Sequence, residues 1–225
     1  MLLLLCCKNI CKIINPEIPN YLSTTFVTLQ ILIMILPIVA YGASILRKVA
    51  VDIDKDYPEL QLLLEDMWET MYSSNGVGLA APQINKSIRL FIVDSTQIFE
   101  GMEKDERMNY RDAPGVKRVF INAKIIMLDG EEWCYNEGCL SIPRIREDVY
   151  RHQKVTLSYL NEKFEPQEET FVGITARVIL HEYDHLEGKL FIDYMKPFRK
   201  KLLQSKLNDI HKGKIKVDYK MAFIK

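Results

Sequence analysis

The sequence predicts an α+β fold: mostly antiparallel β-sheets packed around a central helix that carries His181–His185, with an N-terminal and a C-terminal helix. The order of the predicted elements is the main reason. One amphipathic helix precedes several short apolar strands, two helices follow them, and no regular alternation of strands and helices indicates parallel βαβ units. The chain has 225 residues, enough for one domain with a sizeable core and for extensions.

The first predicted helix spans Pro58–Ser73. Its leucines and methionines recur at the i, i+3, i+4, i+7 spacing of one helix face, and acidic residues, Asp66 among them, are expected on the opposite face. Pro58 suits the first turn, Asp56 is a candidate N-cap, and Asn75-Gly76 ends the helix.

The strands that follow are short and rich in β-branched residues. They are predicted at Ile88–Val93, Val119–Ile121, Lys124–Glu132 and Val155–Leu160, with a turn at Asn161-Glu162 after the last of them. Residues 95–118 are polar and contain Pro114-Gly115, which predicts a long surface loop or hairpin.

Two helices are predicted in the second half of the chain. Ile174–Leu186 follows Gly173, has apolar residues that would anchor it in the core, and ends at Gly188 in a left-handed conformation. Arg199–His211 is charged and is expected to be peripheral. Residues 213–225 are predicted to be a basic tail.

Charge and cysteine content narrow the class of protein. Lys+Arg and Asp+Glu number thirty each, so the net charge predicts no specific nucleic-acid contact. The five cysteines are an odd number at irregular spacing. They therefore argue against a disulfide framework and fit a reducing compartment.

The N-terminal region, residues 1–33, is predicted to be an extension. An apolar run at residues 26–40 is short for a membrane span and contains Gln30 and Pro37, so we do not expect membrane contact. An anchor or an organellar targeting segment is the alternative. Ile35–Val39 is assigned to the folded domain, with Met34 as a candidate start.

His181-Glu182-Tyr183-Asp184-His185 is the most informative motif. On a helix, His181 and His185 lie one turn apart on one face, so both can reach one metal ion, with Glu182 beside them. This pattern predicts a metal-assisted hydrolase. The motif alone has few fixed positions, and catalytic sites of this type usually need a third protein ligand.

Two more segments precede this motif, Gly76–Gln83 (GVGLAAPQ) and Glu137–Ser141 (EGCLS). Together, in this order, the three segments resemble those of the peptide deformylase family, and the resemblance extends from about Ile35 to His211. It implies that residues 34–212 are a catalytic domain that removes the N-formyl group from the N-terminal methionine of new polypeptides and releases formate. It further implies action at the ribosome in the bacterial cytoplasm, as a monomer or weak dimer.

The resemblance also implies the metal ligands. Cys139 would be the third ligand beside His181 and His185, and the ion would be Fe²⁺. Zn²⁺ and Ni²⁺ are alternatives, because a His₂Cys set accepts several divalent ions. Cys134 matches no motif position and is expected to be a small buried hydrophobe.

The roles of the reacting groups follow from the same resemblance. Glu182 would take a proton from the attacking water and pass it to the departing amine. The side-chain amide of Gln83 and the backbone N–H of Leu140 would stabilise the oxyanion.

The substrate would bind as an added strand along Val77, Gly78 and Gly138, because main-chain pairing tolerates many sequences. An apolar pocket would then select methionine. By comparison with the family, it would be lined by Val77, Tyr135, Ile174 and Val178, with the ring of His181 closing one side.

Three charged residues near these motifs have candidate roles. Arg177 is a candidate pocket wall whose guanidinium reaches solvent, or else an exposed helix residue. Arg146 is a candidate for the substrate channel. Asp184 is expected either to orient a ligand histidine or to pair locally.

Two other functions are consistent with parts of the sequence. A zincin-type endopeptidase shares H-E-x-x-H but needs neither Cys139 nor Gly76–Gln83. A non-catalytic metal-binding relative would be expected to lose Glu182, Gln83 or Cys139, and all three are present.

Overall fold

The structure, a computed structural model, describes residues 33–223, and a five-stranded antiparallel sheet is its largest element. The strands are β1 (Ile38–Val39), β2 (Gly78–Ala80), β3 (Leu90–Asp94), β4 (Lys117–Cys139), β5 (Ile142–Leu160), β6 (Pro166–Val172) and β7 (Met221–Ala222). The helices are α1 (Leu60–Ser73), α2 (Thr96–Glu100), α3 (Lys104–Arg107), α4 (Gly173–Leu186) and α5 (Pro197–His211), with 3-10 turns at Ser44–Arg47, Ala81–Ile84 and Phe191–Asp193.

The topology confirms the predicted α+β class. Strands β2 to β6 are hydrogen-bonded in chain order, each antiparallel to the next. Strands β1 and β7 form a separate parallel pair. Helix α4 packs on the large sheet, where Ala176, Ile179 and Leu186 are fully buried. It therefore occupies the central position predicted for the motif helix.

The strands predicted at Val119–Ile121 and Lys124–Glu132 are two parts of β4. A register shift against β5 separates them, and Asn122 at this bulge has φ of 53°. The remaining parts of these strands, residues 133–139 of β4 and 142–154 of β5, were not predicted. Charged and polar residues dominate residues 142–154, so their composition is not that of a typical strand. Pairing between β4 and β5 defines this part of the sheet.

The prediction of a loop or hairpin at residues 95–118 is wrong. Helices α2 and α3 lie there, and β4 begins at Lys117. The buried ring of Phe99 packs edge-on against Tyr110 and anchors α2. Both helices are too short to show helical periodicity in the sequence.

The predicted apolar face of α1 is confirmed. The predicted first residue of the helix and the predicted exposure of Asp66 are wrong. The helix begins at Leu60, and its N-cap Glu59 makes no side-chain capping bond, so Asp56 is not the cap. Asp66 is buried and accepts a hydrogen bond from the backbone N–H of Met34. The prediction that placed Asp66 on an exposed face is therefore wrong.

The ends of α4 agree with the sequence prediction. Gly188 has φ of +67°, and a Cβ at this position would lie 2.7 Å from the carbonyl oxygen of Arg47. Glycine is therefore needed both for the left-handed turn and for the close backbone approach.

The C-terminal part of the chain is more closely packed than the sequence suggested. Helix α5 buries Leu203, Leu207 and Ile210, so it covers a core and is not only peripheral. The segment after it returns to the domain, since β7 pairs with β1. The boundaries at residues 34 and 212 stay predictions.

The N-terminal predictions lie largely outside the described residues. This applies to the extension at residues 1–33 and to most of the apolar run at residues 26–40. Within residues 33–223, Ile38 and Val39 are fully buried, and no helix is long and apolar enough to cross a membrane.

Candidate active site

Cys139, His181 and His185 come together at one point. Their ligand atoms all lie within 4.8 Å of one another, and Cys139 Sγ is 3.4 Å from His185 Nε2. The end of β4 supplies the cysteine, and one face of α4 supplies both histidines. One thiolate and two imidazoles suit a divalent metal ion with a fourth position open. The donor set therefore fits the group that the sequence predicted.

Glu137 orients His181, a role that the sequence reasoning missed. His181 Nδ1 lies 2.9 Å from Glu137 Oε2. Burial alone would raise the pKa of Glu137, but hydrogen bonds from His181 and Arg151 lower it below its usual range. The carboxylate is therefore ionised and can only accept, so Nδ1 carries the proton and Nε2 is free for a metal. Glu137 stands in the EGCLS motif, and the carboxylate–histidine pairing found in metal sites was the available signal.

Asp184 does not orient a ligand histidine. Its carboxylate accepts hydrogen bonds from Arg151 Nη1 at 2.6 Å and from the hydroxyl of Tyr194 at 3.1 Å. Of the two roles considered from the sequence, local pairing is the one that the structure shows. Arg151 in turn donates to Glu137, so Asp184 is connected to His181 only through Arg151 and Glu137.

Arg177 is buried, with 2 % of its surface exposed. Its guanidinium donates to Glu137 Oε1 at 3.0 Å, donates to the carbonyl oxygen of Trp133, and lies over the Trp133 ring. Neither sequence interpretation of this guanidinium, as reaching solvent or as part of an exposed residue, is correct. Its charge is neutralised inside the domain by Glu137.

Glu182 is buried beside the ligands and close to the backbone of β2. A Cβ on Gly78 would lie 2.6 Å from Glu182 Oε1, so the carboxylate fits only because this position is glycine. Within residues 33–223, Oε2 of Glu182 has no hydrogen-bond partner. Burial raises the pKa of Glu182 to about 7. A carboxyl group with such a pKa can both accept and return a proton near neutral pH.

Gln83 is fixed with its amide NH₂ group facing the ligands. Its Oε1 accepts a 2.8 Å hydrogen bond from Ala80 N, which leaves Nε2 at 3.6 Å from Cys139 Sγ and 3.4 Å from Ser141 Oγ. The 3-10 turn Ala81–Ile84 directly after β2 produces this orientation. The amide can therefore donate to an oxygen atom that sits beside the thiolate.

A cavity of about 600 Å³ opens at this centre. The predicted substrate residues all line it: Val77, Gly78, Tyr135, Gly138, Ile174, Arg177 and Val178. The predicted oxyanion donor Leu140 and the channel candidate Arg146 line it as well. Residues 216–219 also line the cavity and were not predicted to do so. Cys134 does not line it and is exposed, so the expectation of a buried cysteine is wrong.

The arrangement is that of a metal-dependent hydrolase, because it places a buried carboxylate and an amide donor beside three side chains that can hold a metal ion, in a cavity. A family model described as Polypeptide deformylase matches residues 35–201. The chain belongs to this family. Its enzymes remove the N-formyl group from nascent polypeptides, so the predicted activity is confirmed at the level of the family.

Individual relatives agree with this assignment. A peptide deformylase of Christiangramia forsetii is 51% identical over 190 residues, which cover 84% of this chain and 96% of the relative. One of Flavobacterium johnsoniae is 52% identical over 192 residues, with the same shares covered. The crystal structure of a peptide deformylase from Legionella pneumophila is 35% identical with a TM-score of 0.67, covering 80% of this chain and 98% of that one.

Proposed function

We propose that the cavity described above is where this chain hydrolyses the formyl amide of formyl-methionyl polypeptides. The observation that carries the proposal is the buried carboxylate of Glu182, which is unpaired at Oε2 within the described residues and lies beside the Cys139, His181 and His185 cluster. Cys139, His181 and His185 would hold a divalent ion, which would supply Lewis-acid chemistry at this point of the cavity. Side chains and backbone groups of the chain transfer the proton, stabilise the oxyanion and bind the substrate.

Glu182 moves the proton in this proposal. Its carboxylate accepts a proton from the attacking water and returns it to the amine nitrogen as the bond to the formyl carbon breaks. A pKa of about 7 supports both steps, because proton transfer is most effective when the pKa of the group is near the working pH.

Gln83 and Leu140 stabilise the negative charge on the former carbonyl oxygen. Gln83 Nε2 is already directed toward Cys139, and Leu140 is the residue after Cys139 in the turn between β4 and β5. Their N–H groups are fixed before the substrate arrives, so they need little reorganisation when charge develops.

The substrate backbone lies along Val77, Gly78 and Gly138, with the methionine side chain between Tyr135, Ile174 and Val178. The support for this part is that all six residues line the same cavity. Arg177 contributes through its stem, since its guanidinium is bonded to Glu137.

The metal and the cellular setting are further parts of the proposal. We propose Fe²⁺ as the ion, with Zn²⁺ and Ni²⁺ able to use the same ligands, since thiolate and imidazole accept all three. We also propose that the enzyme acts as a monomer or weak dimer on nascent chains at the ribosome, in the bacterial cytoplasm. The bacterial sources of the relatives support this setting.

The direct test is release of formate from formyl-Met-Ala-Ser by anaerobically iron-loaded protein, with casein as the substrate of an endopeptidase. We expect formate release and no casein cleavage. Gln83→Ala should lower kcat by about 10²–10³-fold, the usual effect of losing one oxyanion donor. Gln204→Ala, on the exposed side of α5, is the matched control. Near-native turnover by metal-loaded Glu182→Ala would contradict the proposal.

A further inference from the structure

The C-terminal segment, residues 214–223, follows α5, runs back across the domain and contains β7. Inward residues alternate with exposed ones: Ile215, Val217, Tyr219 and Met221 are half-buried, and Lys214, Lys216, Asp218 and Lys220 are exposed. Backbone N–H groups of Ile38 and Ala40 donate to carbonyl oxygens of this segment. The segment lies beyond residues 35–201, to which the family model extends.

This segment reaches the active site. Residues 216–219 line the same cavity as Glu182 and Cys139. The hydroxyl of Tyr219 donates a 2.7 Å hydrogen bond to the carbonyl oxygen of Leu140. The ring of Tyr219 packs against the core cluster that contains Leu79 and Ile38, so the hydroxyl is held in place from behind.

The bond from Tyr219 meets the turn that carries the proposed oxyanion donor. Leu140 and Ser141 connect β4 to β5, and Tyr41 N donates to the carbonyl oxygen of Ser141 at 2.8 Å. Among the described residues, Tyr219 is the only one that donates a hydrogen bond to the carbonyl oxygen of Leu140. The C=O of Leu140 shares a planar peptide unit with the N–H of Ser141, and it is separated from the N–H of Leu140 by φ and ψ of Leu140. Cys139, on the other side of Leu140, pairs with Ile142, so the turn is held at both ends and anchoring the carbonyl restricts these two dihedral angles.

We propose that Tyr219 is a positioning residue of the deformylation site, whose hydroxyl fixes Leu140 so that the Leu140 N–H points at the developing oxyanion. The inference rests on the role proposed above for Leu140. In this proposal the C-terminal segment contributes to the active site and is not a peripheral tail.

The test is Tyr219→Phe, which removes the hydroxyl and keeps the ring. In metal-loaded protein we expect kcat for formyl-Met-Ala-Ser to fall about threefold to tenfold, the range of one ordinary hydrogen bond that matters only in the transition state. KM should stay within about twofold, because the strand-like contacts to the substrate backbone are untouched.

The matched control is Tyr159→Phe. Tyr159 also donates its hydroxyl to an acceptor, Glu169, but it lies on β5 away from the cavity. Both variants should lose a similar amount of thermal stability, and only Tyr219→Phe should lose kcat. An unchanged kcat in Tyr219→Phe, or a raised KM with normal kcat, would overturn the inference.

A second readout does not depend on turnover. In zinc-loaded protein labelled with ¹⁵N-leucine, the Leu140 amide resonance should shift in Tyr219→Phe and stay in place in Tyr159→Phe. An unmoved Leu140 resonance in Tyr219→Phe also counts against the inference. If the wild-type enzyme released no formate, the proposed function would fail. If it did, and Gln83→Ala were impaired while Tyr219→Phe were not, only the role of Tyr219 would fail.

Discussion

Replacing Glu137 with glutamine should test the buried network that supports the proposed metal ligands. Glu137 is 4 % exposed and accepts hydrogen bonds from Arg151, Arg177 and His181 at 2.7 to 3.0 Å. With Asp184 the network holds two anions and two cations, so its formal charge is balanced. Glu137→Gln keeps the shape of the side chain and removes one negative charge. It also places the NH₂ group of an amide beside the N–H donors of Arg151, Arg177 and His181.

The magnitude follows from this geometry. Removing one partner of a buried ion pair costs about 3–5 kcal/mol, because the remaining charge stays buried without compensation. For a domain of this size, that corresponds to a fall in Tm of roughly 6–20 °C. The second effect concerns the metal: losing the carboxylate that orients a ligand histidine typically weakens binding about 10–100-fold.

The assay combines thermal unfolding with metal competition against a chelator. Unfolding is measured with excess metal and again after metal removal, because the loss caused by the unpaired arginines should persist without the ion. The control is Glu132→Gln on the same strand, where the side chain is 55 % exposed and only faces His152. A Tm within about 3 °C of wild type, together with unchanged metal affinity, would refute the role assigned to Glu137.

Two further predictions concern β2 and the contact between Asp193 and Arg47. Gly78→Ala should lower kcat about 10²-fold in steady-state kinetics by displacing the Glu182 carboxylate, and normal kcat would show that the carboxylate has room to move. Burial opposes the hydrogen bonds from Arg47 to Asp193, but the bonds prevail and lower the pKa of Asp193 below 3.8. Asp193→Asn should therefore be less stable than wild type by at most about 1 kcal/mol near neutral pH. Urea unfolding at falling pH should show this gap closing below pH 3.8, and a constant gap would contradict the assignment.

The fate of the C-terminal segment shows where sequence reasoning missed a readable pattern. Residues 214–221 alternate lysine or aspartate with isoleucine, valine, tyrosine and methionine, which is the period of a half-buried strand. The lysines suggested a basic tail and masked that period. In the structure Ile215, Tyr219 and Met221 pack against the core clusters, and Tyr219 contacts Leu140.

Other errors had no signal in the sequence. Arg177 lies one helical turn before His181, where a surface arginine and a buried one look alike. Its burial depends on Glu137, forty residues earlier in the chain, and the two meet only because the end of β4 reaches α4 in the folded domain. Residues 133–139 of β4 and 142–154 of β5 were missed for a related reason, since these strand segments are defined by their hydrogen-bonded neighbour and not by their own composition.

The sequence by itself predicted the family and the cluster of Cys139, His181 and His185 that the structure brings together. Helical spacing places His181 and His185 on one face wherever the helix lies, and the motif segments supplied Cys139. Residue spacing within one helix can be interpreted without knowledge of the fold. The tertiary structure alone decided that Glu137 holds His181, that Arg177 is buried and that residue 219 reaches residue 140. These contacts join segments far apart in the chain, and their distances are set by how strands and helices pack, which no local spacing encodes.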